Sequence, residues 1–167
     1  EDREGVMWIG TDSGGLNRFD RSTQTFARYQ NDPTNPVSLS NNQIRVIYED
    51  RAGSLWVGTD GGGLNRFDRE SGTFTRFNHN PSDPASLSND HIRAIFQDRD
   101  GTLWVGTDGG GLNRMDTVTG RFRHFGPEAG GGGGLGSVRG LTGYGGRDGH
   151  PWGGAFEPGA DRFDRGA

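Results

Sequence analysis

Residues 55–68 run Leu55-Trp56-Val57-Gly58-Thr59-Asp60-Gly61-Gly62-Gly63-Leu64-Asn65-Arg66-Phe67-Asp68, and residues 103–116 repeat this stretch with few changes. Looser copies lie around 7–20 and 151–164, so tryptophan recurs at 48-residue intervals, at Trp8, Trp56, Trp104 and Trp152. A fixed period of this length indicates a repeat architecture, in which each unit buries its apolar face against its neighbours.

The second repeat unit predicts four short β-strands, at 44–48, 55–59, 64–68 and 74–77. Turn sequences rich in Asp, Gly and Ser separate them, and no stretch of useful length shows the helical period of 3.6 residues. Because Leu55, Trp56 and Val57 are consecutive, the second strand buries both of its faces. Four-stranded sheets that are covered on both faces and recur about every 40 to 50 residues are typical of the blades of a β-propeller.

The sequence therefore predicts an all-β fold, a partial β-propeller of about 3.5 four-stranded blades. The predicted parts are a partial first blade at 1–30 that lacks its first strand, blades at 44–78 and 92–125, a glycine-rich loop at 126–137 and a degenerate partial blade at 138–164. Open blade faces are expected to pack against further propeller blades of a parent chain or to cause self-association.

The fourth unit departs from the repeat. A strict 48-residue offset places Gly140 and Gly143 where apolar strand residues are expected, whereas an offset of 46 aligns Val138-Arg139-Gly140-Leu141 with residues 92–95. The first strand of this unit is therefore expected at 138–141. Glycine also follows Trp152 where a β-branched residue follows the other tryptophans, so this unit is expected to pack most weakly.

Composition and charge exclude several classes of function. The 167 residues include 32 glycines and no cysteine, which rules out disulfides, a thiolate nucleophile and cysteine-bound zinc. Lys and Arg number 18 and Asp and Glu 22, for a net charge of −4, and no basic cluster stands out. Neither nucleic-acid binding nor membrane contact by this segment is expected, and no cofactor or metal is predicted.

Three motifs that resemble sites are better explained by structure. The glycine run after Asp60 lacks the following helix that a phosphate-binding loop requires, which favours a hairpin turn. The segment 98–101 resembles the start of a calcium loop and a sialidase Asp-box, but turn capping by Asp98 is favoured because oxygen ligands are too few. The tryptophans lie mid-strand between apolar neighbours, which favours an inter-blade core over a sugar-stacking platform.

The histidines fall at unrelated positions of the repeat: His79, His91, His124 and His150. They offer no ligand set for zinc and no shared base, so surface loop positions are expected. No Ser-His-Asp spacing or carboxylate pair recurs beside a plausible pocket, which argues against hydrolase chemistry.

A family resemblance rests on three stretches of the third unit. They are Asp98-Arg99-Asp100-Gly101-Thr102-Leu103-Trp104-Val105-Gly106-Thr107, Gly110-Gly111-Leu112-Asn113-Arg114 and Pro84-Ala85-Ser86-Leu87-Ser88-Asn89-Asp90-His91-Ile92. The combined pattern resembles the two-component regulator propeller repeat, densely over 1–125 and loosely over 138–164. The resemblance implies a bacterial periplasmic or extracellular sensor propeller ahead of a membrane-anchored histidine kinase, and an oligosaccharide-type ligand.

Candidate ligand-binding residues are polar side chains that recur where a propeller exposes them. The first strand of each blade lines the central channel, and it carries an arginine at the same place in three units: Arg45, Arg93 and Arg139. These guanidinium groups suit an anionic or polyhydroxylated ligand, but an ion pair with a neighbouring blade's Asp is the favoured explanation. A second set lies on one rim, in hairpins and in the long connections 31–43 and 79–91: Asp60, Asp108, Asn41 and Asn89.

The functional hypothesis is a non-enzymatic, ligand-sensing propeller module of a two-component regulator. Two alternatives stay open. One is an interaction scaffold whose rim loops bind a protein, and the other is a lyase-type propeller enzyme that requires a metal-supported histidine. Metal analysis and glycan binding separate the three.

Overall fold

The computed structural model describes residues 1–126 and, beyond them, three short strands between 142 and 162. The first sheet contains β1 (Met7–Gly10), β2 (Leu16–Asp20) and β3 (Thr25–Tyr29). The second contains β4 (Ile44–Glu49), β5 (Leu55–Thr59), β6 (Leu64–Phe67) and β7 (Phe74–Phe77). The third contains β8 (Ile92–Gln97), β9 (Leu103–Thr107), β10 (Gly111–Met115) and β11 (Phe122–Phe125). The fourth contains β12 (Thr142–Gly145), β13 (Pro151–Gly154) and β14 (Ala160–Arg162).

Each sheet is an antiparallel meander in which strands adjacent in sequence are paired. The innermost strands lie side by side around one axis, with β4 next to β8 and β8 next to β12. No helix occurs in the described part of the chain. The predicted all-β propeller class is confirmed, and the predicted strands of the second unit differ from the observed ones by one residue at most.

The glycine run after Asp60 forms the turn between β5 and β6, as the sequence predicts. Gly63 has a φ of 73°, and a Cβ at this position would collide with the carbonyl oxygen of Phe77 on the neighbouring strand β7. Glycine is therefore required both for the left-handed backbone and for the close approach of β7.

The repeat tryptophans form the core between sheets. Trp56 is 1% exposed and faces the third sheet, where it belongs to a cluster of buried apolar residues. Its companions in that cluster are Leu64, Leu87, Ile92, Ile95, Leu103, Val105, Met115 and Phe122. Trp8 packs edge-on against Phe67 of the second sheet, with ring centroids 5.1 Å apart. The buried indole of Trp56 leaves no face for a sugar ring, in agreement with the core interpretation.

An aspartate six residues before each of the first three tryptophans fixes the turn that precedes the tryptophan strand. In the second sheet, Asp50 Oδ1 accepts the backbone N–H groups of Ala52 and Ser54, and Oδ2 accepts the indole N–H of Trp56 at 2.8 Å. Asp2 and Asp98 make the same three hydrogen bonds in their own sheets. The predicted turn capping by Asp98 is confirmed, and the same carboxylate also binds the core tryptophan.

The fourth sheet corrects one sequence prediction. Tyr144 on β12 pairs with Trp152 on β13, which reproduces the pairing of Phe96 with Trp104 at a strict 48-residue offset. The pairing of β12 with β13 therefore follows the 48-residue offset and not the 46-residue one, and β12 lies at Thr142–Gly145. Residues 138–141 lie outside the described residues.

We expect Trp56→Ala to lower the free energy of unfolding by about 3 to 5 kcal/mol, because the change removes a fully buried aromatic side chain. Trp8→Ala should cost less, since the Trp8 side chain is only partly buried. The measurement is the denaturant midpoint at unchanged slope. Equal losses would contradict the difference in packing between the two interfaces.

Asp50→Asn is expected to cost about 1 to 3 kcal/mol, because the amide nitrogen would face the indole N–H of Trp56, and two donors cannot pair. Asp68→Asn is the matched control. Asp68 is an exposed turn cap that uses only Oδ1, toward the backbone N–H groups of Glu70 and Ser71, so asparagine can replace it. Chemical denaturation of both variants tests this, and equal losses would show that the Asp50–Trp56 bond adds nothing.

Candidate functional site

The candidate site lies at one end of the sheets, where β5 turns into β6 and β9 into β10. We call this end the rim and define it by six side chains: Asp12, Arg45, Asp60, His91, Arg93 and Asp108. All six are wholly or partly exposed. They come from three sheets, with Asp12, Asp60 and Asp108 at equivalent positions 48 residues apart.

Both rim arginines lie at a β-bulge of an innermost strand. The pairing of β4 with β5 shifts register between Ile44 and Val46, and the pairing of β8 with β9 shifts between Ile92 and Ala94. The residue in each gap is the arginine, Arg45 or Arg93. A bulge redirects a side chain away from the regular alternation of the strand. The backbone therefore gives these two arginines a side-chain direction that differs from that of their neighbours on the strand.

Arg45 joins carboxylates from two sheets. Its Nε and Nη2 donate to Asp60 Oδ2 at 3.0 and 2.5 Å, and its Nη1 lies 3.3 Å from Asp12 Oδ1 of the first sheet. In the third sheet, Arg93 Nη2 lies 2.5 Å from Asp108 Oδ2. The structure thus brings Arg45 and Arg93 each together with the predicted aspartate of its own sheet. The predicted ion pair with a neighbouring blade is found for Arg45, with Asp12.

His91 adds a second link between sheets. Its Nδ1 lies 2.6 Å from Asp60 Oδ1, so the carboxylate of Asp60 is contacted by the third sheet as well as by Arg45. Hydrogen bonds from His91 and from Arg45 lower the pKa of Asp60 from its ordinary value of 3.8 to about 2. Sequence reasoning missed this contact because the equivalent residue one repeat earlier is Gln43, and the pattern of recurring residues did not include it.

Asn41 and Asn89 position the rim. Asn41 Oδ1 accepts the backbone N–H of Gln43 at 2.8 Å, and its Nδ2 donates to the carbonyl oxygen of Asp60 at 3.0 Å. Asn89 Oδ1 accepts the backbone N–H of His91 at 2.8 Å. Both amides therefore hold the ends of the connections beside the charged residues. Arg139, the third predicted arginine, lies outside the described residues.

The long connections that border the rim are anchored to the sheets. Leu39 is fully buried, and the next residue, Ser40, exchanges two hydrogen bonds with the buried amide of Asn65: its N–H donates to Oδ1 at 3.0 Å, and its Oγ accepts from Nδ2 at 2.7 Å. Leu87, Ser88 and Asn113 repeat this arrangement. The rim is therefore built on rigid backbone, which is the condition for a preorganised binding surface.

The remaining histidines of the described segment bind backbone. His79 Nδ1 contacts the carbonyl oxygen of Leu87 at 2.7 Å, and His124 Nε2 contacts that of Ser86 at 2.6 Å. Both are exposed, as predicted, but His124 lies on strand β11 and not in a loop. His150 lies outside the described residues.

A cleft of about 500 Å³ opens elsewhere on the third sheet, lined by Asp116, Arg121 and Arg123 among others. It contains none of the predicted site residues and lies near the turn that precedes β9, at the opposite end of the strands from the rim. Within the described residues, no group of three or more acidic or histidine side chains is arranged to hold a metal ion. The described residues also contain no helix of the length and hydropathy needed to cross a membrane.

Comparison with known proteins identifies the repeat. Residues 38–61 and 86–109 match the model of the two-component regulator propeller family. No curated protein matches the chain. Two similar solved structures are extracellular domains from Bacteroides thetaiotaomicron, each assigned as part of a hybrid two-component system.

The first, BT3049, is 28% identical, with a TM-score of 0.77 over 96% of this chain and 21% of that chain. The second, BT4673, is 24% identical, with a TM-score of 0.81 over 98% of this chain and 23% of that chain. At this identity, the similarity supports a shared fold and nothing more. The chain thus spans about a fifth of the length of these relatives. The resemblance found in the sequence is confirmed over the two stretches, 38–61 and 86–109, that match the model of the two-component regulator propeller family.

Proposed function

We propose that the chain is a ligand-sensing propeller module of a two-component regulator, situated on the extracellular or periplasmic side of the membrane. The family match and the extracellular origin of BT3049 support this placement. The ligand is an oligosaccharide, bound non-covalently at the rim. The module carries out recognition, and any catalytic step of signalling belongs to other parts of the parent protein.

The observation that carries the proposal is the repetition of one charged pair on neighbouring blades. Arg45 with Asp60 and Arg93 with Asp108 occupy equivalent bulged positions, and their arginine side chains are 37% and 35% exposed. A guanidinium group still has N–H donors for a ligand after it binds one carboxylate, and a carboxylate has further lone pairs. Sugar hydroxyl groups both donate and accept, so a chain of sugars can bind successive pairs along the rim.

The contacts of the histidines also favour binding over catalysis. Among the described residues, the ring nitrogens of His79 and His124 contact backbone carbonyl oxygens, and that of His91 contacts a carboxylate. None of these contacts places a serine or threonine hydroxyl group on a histidine ring, which is the arrangement that an activated nucleophile needs. A metal-dependent lyase remains the enzymatic alternative, and metal analysis of protein that binds its ligand separates it from a sensor.

A second part of the proposal concerns the first sheet, which we infer packs against another blade of a parent chain or a second copy. Phe26 is 57% exposed and Ile9 is 36% exposed, although both belong to strands of this sheet. The equivalent of Ile9 in the second sheet, Val57, is fully buried by its neighbours. Exposed apolar surface of this kind is typical of an interface.

Sedimentation velocity tests the partner surface on the 167-residue chain. We expect self-association that increases with protein concentration and that Phe26→Ser weakens, because the change removes exposed apolar surface. The variant also loses the ring contact of Phe26 with Phe19, at 4.8 Å between centroids, so its folding is checked by its melting temperature. Val118→Ser, at a residue that is 93% exposed in a turn, is the control. A monomer at all concentrations would contradict this part of the proposal.

Calorimetric titration against a panel of neutral and acidic oligosaccharides tests the ligand. We expect at least one member to bind, and the double variant Arg45→Gln and Arg93→Gln to lose about tenfold or more in affinity. Its melting temperature should stay within a few degrees, because exposed ion pairs contribute little to stability. Arg28→Gln is the matched control, since Arg28 is an exposed arginine on β3, outside the rim.

Two results would overturn the proposal. Unchanged affinity in the folded double variant would place the ligand elsewhere on the chain. Failure of every oligosaccharide to bind the native chain would instead favour the alternative of a protein-interaction scaffold.

A further inference from the structure

We propose that the rim selects neutral, polyhydroxylated oligosaccharides and rejects acidic ones. This inference rests on the proposed function and names the class of ligand that the same site takes. The sequence left anionic and polyhydroxylated ligands equally open, because it showed the arginines without their partners. The charges and contacts of the rim distinguish them.

The arginines of the rim are already bound to carboxylates. Arg45 directs Nε and Nη2 to Asp60 and Nη1 to Asp12, so each of its three nitrogen atoms faces a carboxylate oxygen. Arg93 is bound to Asp108 through Nη2. At Arg45, an acidic sugar would have to compete with Asp60 and Asp12 to form the bidentate contact that makes arginine a good receptor for carboxylates.

The sum of charges also opposes an anion. The rim holds three carboxylates and two guanidinium groups, so its acidic side chains outnumber its arginines by one. Asp12 is the most exposed member, with 76% of its side chain accessible, so an approaching ligand meets a carboxylate before it meets a guanidinium. The carboxylate of an acidic sugar would lie beside that of Asp12, and repulsion between the two like charges would weaken binding.

A neutral sugar neither competes with the aspartates for the arginines nor is repelled by Asp12. A hydroxyl group can donate to a carboxylate oxygen of Asp12 or Asp108 and accept from a remaining N–H of Arg45 or Arg93, without breaking the existing pairs. Alternating donors and acceptors along the rim match neighbouring hydroxyl groups on one sugar ring. The Asp–Arg pairs therefore form a receptor for diols, in which each charge is balanced before the ligand arrives.

The test compares cello-, malto- and galacto-oligosaccharides of three to six sugars with the same compounds oxidised at C6 to uronic acids. Linkage and length are then identical, and only the charge differs. In calorimetric titration at low salt we expect any neutral compound that binds to bind at least about tenfold more tightly than its oxidised counterpart. Equal or tighter binding of the oxidised compound would overturn this inference and leave the proposed function standing. Binding of neither compound would overturn the proposed function itself.

Asp108→Asn provides the second arm. The change frees Arg93 from its carboxylate, so the affinity ratio of neutral to oxidised compound should fall by about tenfold. Asp83→Asn is the matched control, because Asp83 forms a comparable exposed pair with Arg121, at 3.5 Å, outside the rim. A ratio that is unchanged in folded Asp108→Asn, or that falls equally in Asp83→Asn, would show that the rim carboxylates do not set the preference.

Discussion

The bond between each of the first three repeat tryptophans and the aspartate six residues before it is the constraint on which the structure depends. The indole of Trp56 fills the space between two sheets, while its N–H reaches Asp50, whose other oxygen closes the turn before the strand. One side chain thus fixes the turn, the strand and the distance to the next sheet. Since the buried carboxylate is satisfied by three N–H groups, its burial is compatible with a stable core.

Fixed sheet-to-sheet geometry makes contacts recur at the repeat period. Arg3 Nη1 donates to the carbonyl oxygen of Arg51 at 2.7 Å, and Arg51 Nη1 donates to that of Arg99 at 2.8 Å. The same geometry brings Asp12, Asp60 and Asp108 to equivalent places at the other end of the sheets. A binding surface built from several blades follows from this regularity, because residues 48 positions apart in the chain become neighbours in space.

The sequence was sufficient for what depends on local pattern. Strand positions followed from apolar runs and turn residues, and the burial of Trp56 followed from its apolar neighbours. It was insufficient for contacts that cross between sheets without a repeating signal. The partnership of Arg45 with Asp12 and of His91 with Asp60 depends on loop geometry, and the bulges at both arginines depend on hydrogen-bond register, which composition does not reveal. The offset error in the fourth unit had a related cause: apolar identity was matched there, whereas the strand kept its pairing distance to Trp152 despite carrying glycine.

The two ends of the sheets differ in how far neighbouring repeats keep the same side chains, and this difference supports the proposed site at the rim. At the end beside the aspartate turns, Arg69 of the second sheet binds Asp2 and Glu49, but the third sheet has Thr117 and Gln97 in the equivalent places. The third sheet therefore lacks both the arginine and one of its acidic partners. This ion-pair network is replaceable, and it serves packing alone. At the rim, both sheets keep the bulged arginine and its ion pair with an aspartate, although an exposed ion pair contributes little to folding. A bulge kept in both sheets beside a contact of small structural value supports the proposal that the rim binds a ligand.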